Sequence, residues 1–339
     1  MTVRRTGYPS WIPKVVRWAI GLTLAGLAVG ILVDGLEWDA IGAALQGADY
    51  RWVALGVGAV LVTVVSRALR WQALLNGQRI GLVSAMMAIL VGQVVNTGLP
   101  LMRSGDFARA AWVSRKEPVG VTQSLGAIVL EKVWDLLALA VTGLALLVLT
   151  PLPDWFVQST WGGVAAVGLG IVTLWLGLRW QAPLLGLAVR IVHRLPERLA
   201  TFLVPQLHEL VAALDAIRQP RASTAAGFWT AVTWFLGGLT NWAVMQAFGI
   251  RSVYGAVFLL ALLMLGGAVV PTPGRLGIFE GICVVSLTQF GVEASMALAT
   301  GLVLHVAVMG PPLVLAALFG LANALGWSFP SRSGIPDSR

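Results

Sequence analysis

The sequence predicts an all-α, polytopic integral membrane protein: a single transmembrane domain (1–339) of about six full spans and two re-entrant helical segments, about eight membrane helices, arranged as an inverted repeat. Three observations predict it. Of 339 residues, 58% are hydrophobic and 11% charged, where soluble domains carry about 25% charged residues. Apolar stretches of about 20 residues, enough to cross hydrocarbon, recur along the chain. Each half also contains a charged segment broken by Pro and Gly just after a shorter apolar run, Met86–Leu99 in one half and Val257–Val270 in the other.

The elements follow in order. Trp18–Val33 (18–33) has a basic flank of Arg4, Arg5, Lys14 and Arg17. It runs into Asp34, Glu37 and Asp39 rather than a small-residue cleavage site, so it reads as a retained signal-anchor helix. Ala40–Ala48 is too short to span and lies on the membrane. The first half (52–149) has Trp52–Leu69 running inward, Ser84–Leu99 re-entering from the cytoplasm within 84–116, and Val121–Leu149 running outward. Trp161–Leu178 returns the chain. Segment 184–218, interrupted by Pro196 and Pro205, repeats Leu207, Leu210, Val211, Leu214 and Ile217 on one helical face, an amphipathic cytoplasmic pair with a basic side. The second half (225–321) has Ala225–Phe248 running outward, Tyr254–Val270 re-entering from outside within 254–290, and Ala294–Leu321 running inward. The order is the same and the directions are opposite, the plan on which alternating-access carriers are built.

The net charge of +8 is topological. Segments 1–17, 67–82, 103–117, 179–221 and 326–339 hold 19 of the 23 Lys and Arg, and all fall on one side when the chain is threaded with a cytoplasmic N-terminus. That asymmetry sets orientation: a multi-pass cell-membrane protein with both termini cytoplasmic and no nucleic-acid partner. A single cysteine, Cys283, excludes an internal disulfide, and His193, His208 and His305 lack ligand spacing, so no metal or cofactor is expected. His305 reads as a hydrogen-bonded packing residue in preference to the alternative, a proton relay, and the many Trp near span ends as an interfacial belt.

The two breaks carry the chemistry. The first reads Asn96-Thr-Gly-Leu-Pro100-Leu-Met-Arg103-Ser-Gly-Asp106-Phe-Ala-Arg109, and the second Pro271-Thr-Pro273-Gly274-Arg275-Leu-Gly277-Ile-Phe279-Glu280. Broken helices at membrane depth persist only where they are buried in protein or line a wet cavity. A third cluster sits on a span: Glu131 and Asp135 share one helical face while Lys132 points about 100° away. Arg103, Arg109 and Arg275 are the cations expected to pair with those carboxylates. Four cations (Arg103, Arg109, Lys132, Arg275) against four carboxylates (Asp106, Glu131, Asp135, Glu280) also describe a salt-bridge staple that pins the broken segments to the bundle.

These motifs, from about Leu22 to Leu321, resemble the lysylphosphatidylglycerol synthase transmembrane family, whose members are also described as flippase-like domains. Asp106 stands where that family usually has Glu, and Lys132 where it usually has Arg. The resemblance implies movement of an anionic phospholipid, an aminoacyl-phospholipid or a polyprenyl-phosphate-linked lipid between leaflets. Its partners would be a phosphate-headed lipid and, since no soluble transferase domain is visible here, a possible separate lipid synthase. The substrate-binding candidates are Asn96, Pro100, Arg103, Asp106, Arg109, Glu131, Lys132, Asp135, Pro273, Gly274, Arg275 and Glu280, with no catalytic residue. A membrane-embedded glycosyl or lipid transferase, using Asp34, Glu37 or Asp39, and a non-catalytic membrane subunit of a lipid-modifying system are the alternatives. No phosphate-binding Gly-x-x-x-x-Gly-Lys loop occurs, so ATP is not expected to drive transport from this chain.

Overall fold

A computed structural model describes residues 37–75, 80–98, 104–194, 196–269 and 273–325, and among them there is no strand. The expected signal-anchor 18–33, Pro100 and Arg103 lie outside the described residues. The helices are α1 (Trp38–Gly47), α2 (Tyr50–Leu74), α3 (Leu82–Gly98), α4 (Ser104–Lys116), α5 (Val121–Leu149), α6 (Asp154–Arg179), α7 (Gln181–Val192), α8 (Glu197–Leu214), α9 (Pro220–Ala247), α10 (Val253–Val269), α11 (Ile278–Thr288) and α12 (Ala294–Ala324). Single 3-10 turns occupy Asp215–Arg218 and Pro273–Arg275. By length and composition, Tyr50–Leu74, Val121–Leu149 and Ala294–Ala322 are apolar enough to cross a membrane.

Local chemistry sets the ends. Asp49 caps α2, its carboxylate accepting the Arg51 amide at 3.1 Å. Pro220 opens α9 at a position where its missing N–H costs nothing. Helix α2 continues to Leu74, past the expected end at Leu69, because no breaker precedes Asn76-Gly77. Arg67 and Arg70 are therefore part of that helix, which takes in the first residues of segment 67–82. Segment 103–117 is likewise largely the helix α4. Pro205 does not interrupt the amphipathic segment but sits within α8. That helix is held along α5, where Thr122 hydrogen-bonds Gln206, so packing offsets the one backbone bond a proline removes.

The chain folds as two copies of one pattern: long helix, half-length helix, break, half-length helix, long helix. Helices α2, α3, α4 and α5 have 25, 17, 13 and 29 residues, and α9, α10, α11 and α12 have 28, 17, 11 and 31. Contacts repeat as well. Helix α3 packs against α2, α4 and α12; its counterpart α10 packs against α9, α11 and α5. The two leading helices run antiparallel along their whole length. The Asp49 amide donates to the Ala247 carbonyl at 2.9 Å, Ser66 bonds Thr233 at 2.9 Å, and Arg70 reaches Thr230 at 3.3 Å. The re-entrant helices expected at Ser84–Leu99 and Tyr254–Val270 correspond to α3 and α10 within two residues.

Candidate functional site

Two ionisable centres form, one in each half. The first gathers three helices around Glu131, which is 1% exposed. From α2, Arg70 Nη2 lies 3.1 Å from Glu131 Oε1 while its Nη1 donates to Asp135 Oδ1 at 2.6 Å. From α4, Arg109 Nη2 donates to Glu131 Oε2 at 2.7 Å, and its guanidinium lies 4.4 Å above the Trp71 ring. Arg67 stays at 3.9 Å from Glu131 Oε1 with its side chain 31% exposed. Arg70 thus bridges both carboxylates that the sequence places on one face of α5, a task suited to a planar fork.

The charge count at this centre is uneven. Arg67, Arg70 and Arg109 face Glu131 and Asp135, so one positive charge is in excess among the described residues. Lys132 and Asp106 form a separate pair at 3.9 Å, Lys132 pointing about 100° away from Glu131 on α5. The buried Nε donors of Arg70 and Arg109 make no hydrogen bond among the described residues. Beyond Asp135 on α5, an apolar cleft of about 280 Å³ opens between α5, α6 and α10, lined by Leu136, Leu139, Ala140, Phe156, Val164 and Ala261 among others.

The second centre lies at the second break. Gly274 and Arg275 adopt φ 61° and 60°, and Gly277 φ 79°, turning the chain sharply between α10 and α11. Glu280 Oε2 accepts the Gly277 amide at 2.8 Å and so caps α11. Its other oxygen lies 2.5 Å from Nδ1 of His305 on α12. His305 Nε2 is 2.9 Å from the Gly274 carbonyl, and Phe279 stacks on the imidazole at 4.6 Å. Arg275 is exposed.

The first break is anchored differently. Asn96, from the last turn of α3, accepts the Gly105 amide at 2.9 Å, joining α3 to α4 across residues 99–103. The tips of the two halves meet, since a Cβ on Gly274 would lie 4.0 Å from Thr97 Cγ2.

The structure therefore brings together Arg109, Glu131 and Asp135, pairs Asp106 with Lys132, and puts Gly274 and Glu280 in the second centre. It corrects the expected partners of the α5 carboxylates: among the described residues Glu131 and Asp135 are met by Arg67, Arg70 and Arg109, not by Arg275. Pairing at Arg103, and the place of Pro100, fall outside the described residues. Sequence reasoning missed Arg67 and Arg70 and the bond between His305 and Glu280. The available signal was the i, i+3 spacing of two arginines in an uninterrupted helical run, which puts them on one face as Glu131 and Asp135 are on theirs.

Comparison with known families places residues 18–316 in the family described as the lysylphosphatidylglycerol synthase TM region, which covers most of the chain. No curated protein matches it.

Proposed function

The chain belongs to the lysylphosphatidylglycerol synthase transmembrane-region family, and on that premise we propose that it is a lipid flippase, binding the phosphate of a membrane lipid at the arginine centre and passing it between leaflets. The family assignment supports a membrane protein concerned with lipids. The observation that carries the finer reading is the surplus guanidinium among the described residues: three arginines share two carboxylates at a largely buried site. Unbalanced charge at membrane depth is costly and marks a place for an ion of opposite sign. Guanidinium binds phosphate bidentately and stays charged when water is withdrawn.

In this reading Glu131 and Asp135 hold the arginines ready in the empty state and yield part of their contact to the incoming phosphate. Arg67, at 3.9 Å from its carboxylate, is the first cation to be recruited. The apolar cleft beside Asp135 receives a fatty or prenyl chain while the headgroup stays among the charges. Anionic phospholipids, aminoacyl-phospholipids and polyprenyl-phosphate-linked lipids all present the required phosphate, and a separate synthase would supply the aminoacyl or glycosyl group. The two broken hairpins are the re-entrant parts that rock about the site, and both termini face the cytoplasm.

Reconstitution tests this. Purified protein in liposomes with fluorescent anionic lipid should speed transbilayer movement. Arg67→Lys, which keeps the charge and loses the fork, should lower that rate about tenfold, the equivalent of one charge-assisted hydrogen bond. Its unfolding temperature should stay unchanged. Chemical conversion of the lipid would instead identify a transferase, and neither movement nor conversion a non-catalytic subunit. Normal transport by the Lys variant would refute the phosphate clamp.

A further inference from the structure

The Glu280–His305 pair takes no part in phosphate binding as described above, yet its geometry has a definite chemical consequence. Both ring nitrogens face oxygen: Nδ1 faces Glu280 Oε1 at 2.5 Å and Nε2 the Gly274 carbonyl at 2.9 Å. A carbonyl can only accept, so Nε2 carries hydrogen. Nδ1 against a carboxylate oxygen also needs a hydrogen between them, whether it sits on the nitrogen or on the oxygen. A neutral imidazole beside an ionised carboxylate has one N–H and cannot supply both bonds. The arrangement as built therefore contains one proton more than the deprotonated pair.

We propose that Glu280 and His305 form a proton-binding site whose occupancy holds the second break closed, and that this proton is the coupling ion of transport. The coupling part rests on the lipid-carrier reading; the proton site does not. When the proton leaves, either Nδ1 confronts Oε1 lone pair to lone pair, or the ring turns its remaining N–H to the carboxylate and releases Gly274. Two oxygens 2.5 Å and 2.9 Å from the ring cannot both be kept. The Gly274 release is the one that moves the backbone, because Gly274 and Arg275 sit in left-handed conformations, and for a non-glycine residue such a conformation is held only by its surroundings. The proton exits as H⁺ to water, no bond other than N–H or O–H breaks, and the pair's net charge falls by one.

Few other groups compete. Helix α11 turns Cys283 towards α12 beside Gly301, and the break itself contributes Arg275. Helix α3 has no ionisable side chain. Helix α2 bears Arg51 in its first turn and, near its other end, Arg67 and Arg70, the latter two engaged with Glu131. Helix α9 has only Arg221, in its first turn, and α1 only Asp39. Glu280 is the acid in contact with the ring.

Two measurements on the full chain in nanodiscs and liposomes test the proposal. Nitrogen NMR of histidine-labelled protein, followed from acid to alkaline pH, should show His305 losing its second N–H (or its bond to an acid O–H) in one step. Glu280→Gln should abolish or displace that step, and His305→Gln should remove the signal itself, assigning it. In liposomes, lipid flux should follow an imposed pH gradient in the wild type and become indifferent to it in Glu280→Gln, with His305→Gln behaving alike should one variant fold poorly. A His305 with one N–H and an unchanging spectrum throughout would overturn the site. An intact step with gradient-independent flux would overturn the coupling. An intact step with no lipid flux at all would instead refute the carrier reading while upholding the proton-binding pair.

Discussion

Arg70 and Glu131 are the residues on which the first centre depends, and they respond to substitution differently. Glu131 is 1% exposed and offers its two oxygens to guanidiniums from α2 and α4. Glu131→Gln leaves the buried Arg109 without its counter-charge and Arg70 with Asp135 alone, and removing one partner of a buried pair costs about 3–5 kcal/mol. Asp135 is 30% exposed, and its partner Arg70, itself 1% exposed, keeps Glu131 at 3.1 Å. Asp135→Asn is therefore expected to lower the unfolding temperature clearly less than Glu131→Gln in the same detergent. Arg70→Lys replaces a fork that spans both carboxylates with a point charge that reaches one, and it should lose stability as well as transport. That separates it from Arg67→Lys, which should affect transport alone.

At the scale of elements, the α3–α4 hairpin depends on close backbone approach. A Cβ placed on Gly105 would collide with the Gly92 carbonyl and with the Asn96 side chain that receives the Gly105 amide. Gly105→Ala should therefore splay the hairpin, and since Arg109 is on α4, it should withdraw that cation from Glu131. The expected result is a protein that inserts but unfolds at lower temperature, by the 1–3 kcal/mol typical of overpacking, with lipid transport strongly reduced. Gly98, with open space around it, provides the control: Gly98→Ala should leave stability within about 0.5 kcal/mol. The α10–α11 break uses other means, a run of left-handed backbone at Gly274, Arg275 and Gly277 closed by Glu280.

Across the whole molecule, each half fastens its second half-length helix to its last long helix with a buried ionisable contact, to which the first half adds the more exposed Asp106–Lys132 pair. In the first half the base is on the short helix (Arg109 on α4) and the acid on the long one (Glu131 on α5). In the second half the signs are exchanged, with Glu280 on α11 and His305 on α12. An internal pair of equal architecture and opposite polarity gives two sites of different chemistry, one permanently charged and one able to release a proton. Orientation is tested at this scale too. Cys283 is buried, so the labelling of a cysteine placed at the exposed Arg194, or at Gly334, reports on its own position. Impermeant maleimide applied outside intact cells should label neither, and labelling of either would reverse the assigned topology.

Much of this was legible in the chain itself. Hydropathy runs of spanning length, a short apolar run ahead of each Pro/Gly break, and the shared face of Glu131 and Asp135 are local properties. Hydrocarbon turns them directly into helices, breaks and inward-facing charge. They determined the class, the order of elements and the likeness of the halves within a few residues. Which charge meets which is not local. Arg70 and Glu131 are separated by α3 and α4 in the chain, and Glu280 lies a helix away from His305. Their pairing follows from α2 packing against α5 and from α11 folding back on α12. A buried guanidinium can satisfy any carboxylate within reach, so the sequence favoured Arg275, beside the second break, over Arg70, which fell in a basic segment assigned to the cytoplasm. Only helix packing selected Arg70, by putting its fork 3.1 Å from Glu131 and 2.6 Å from Asp135.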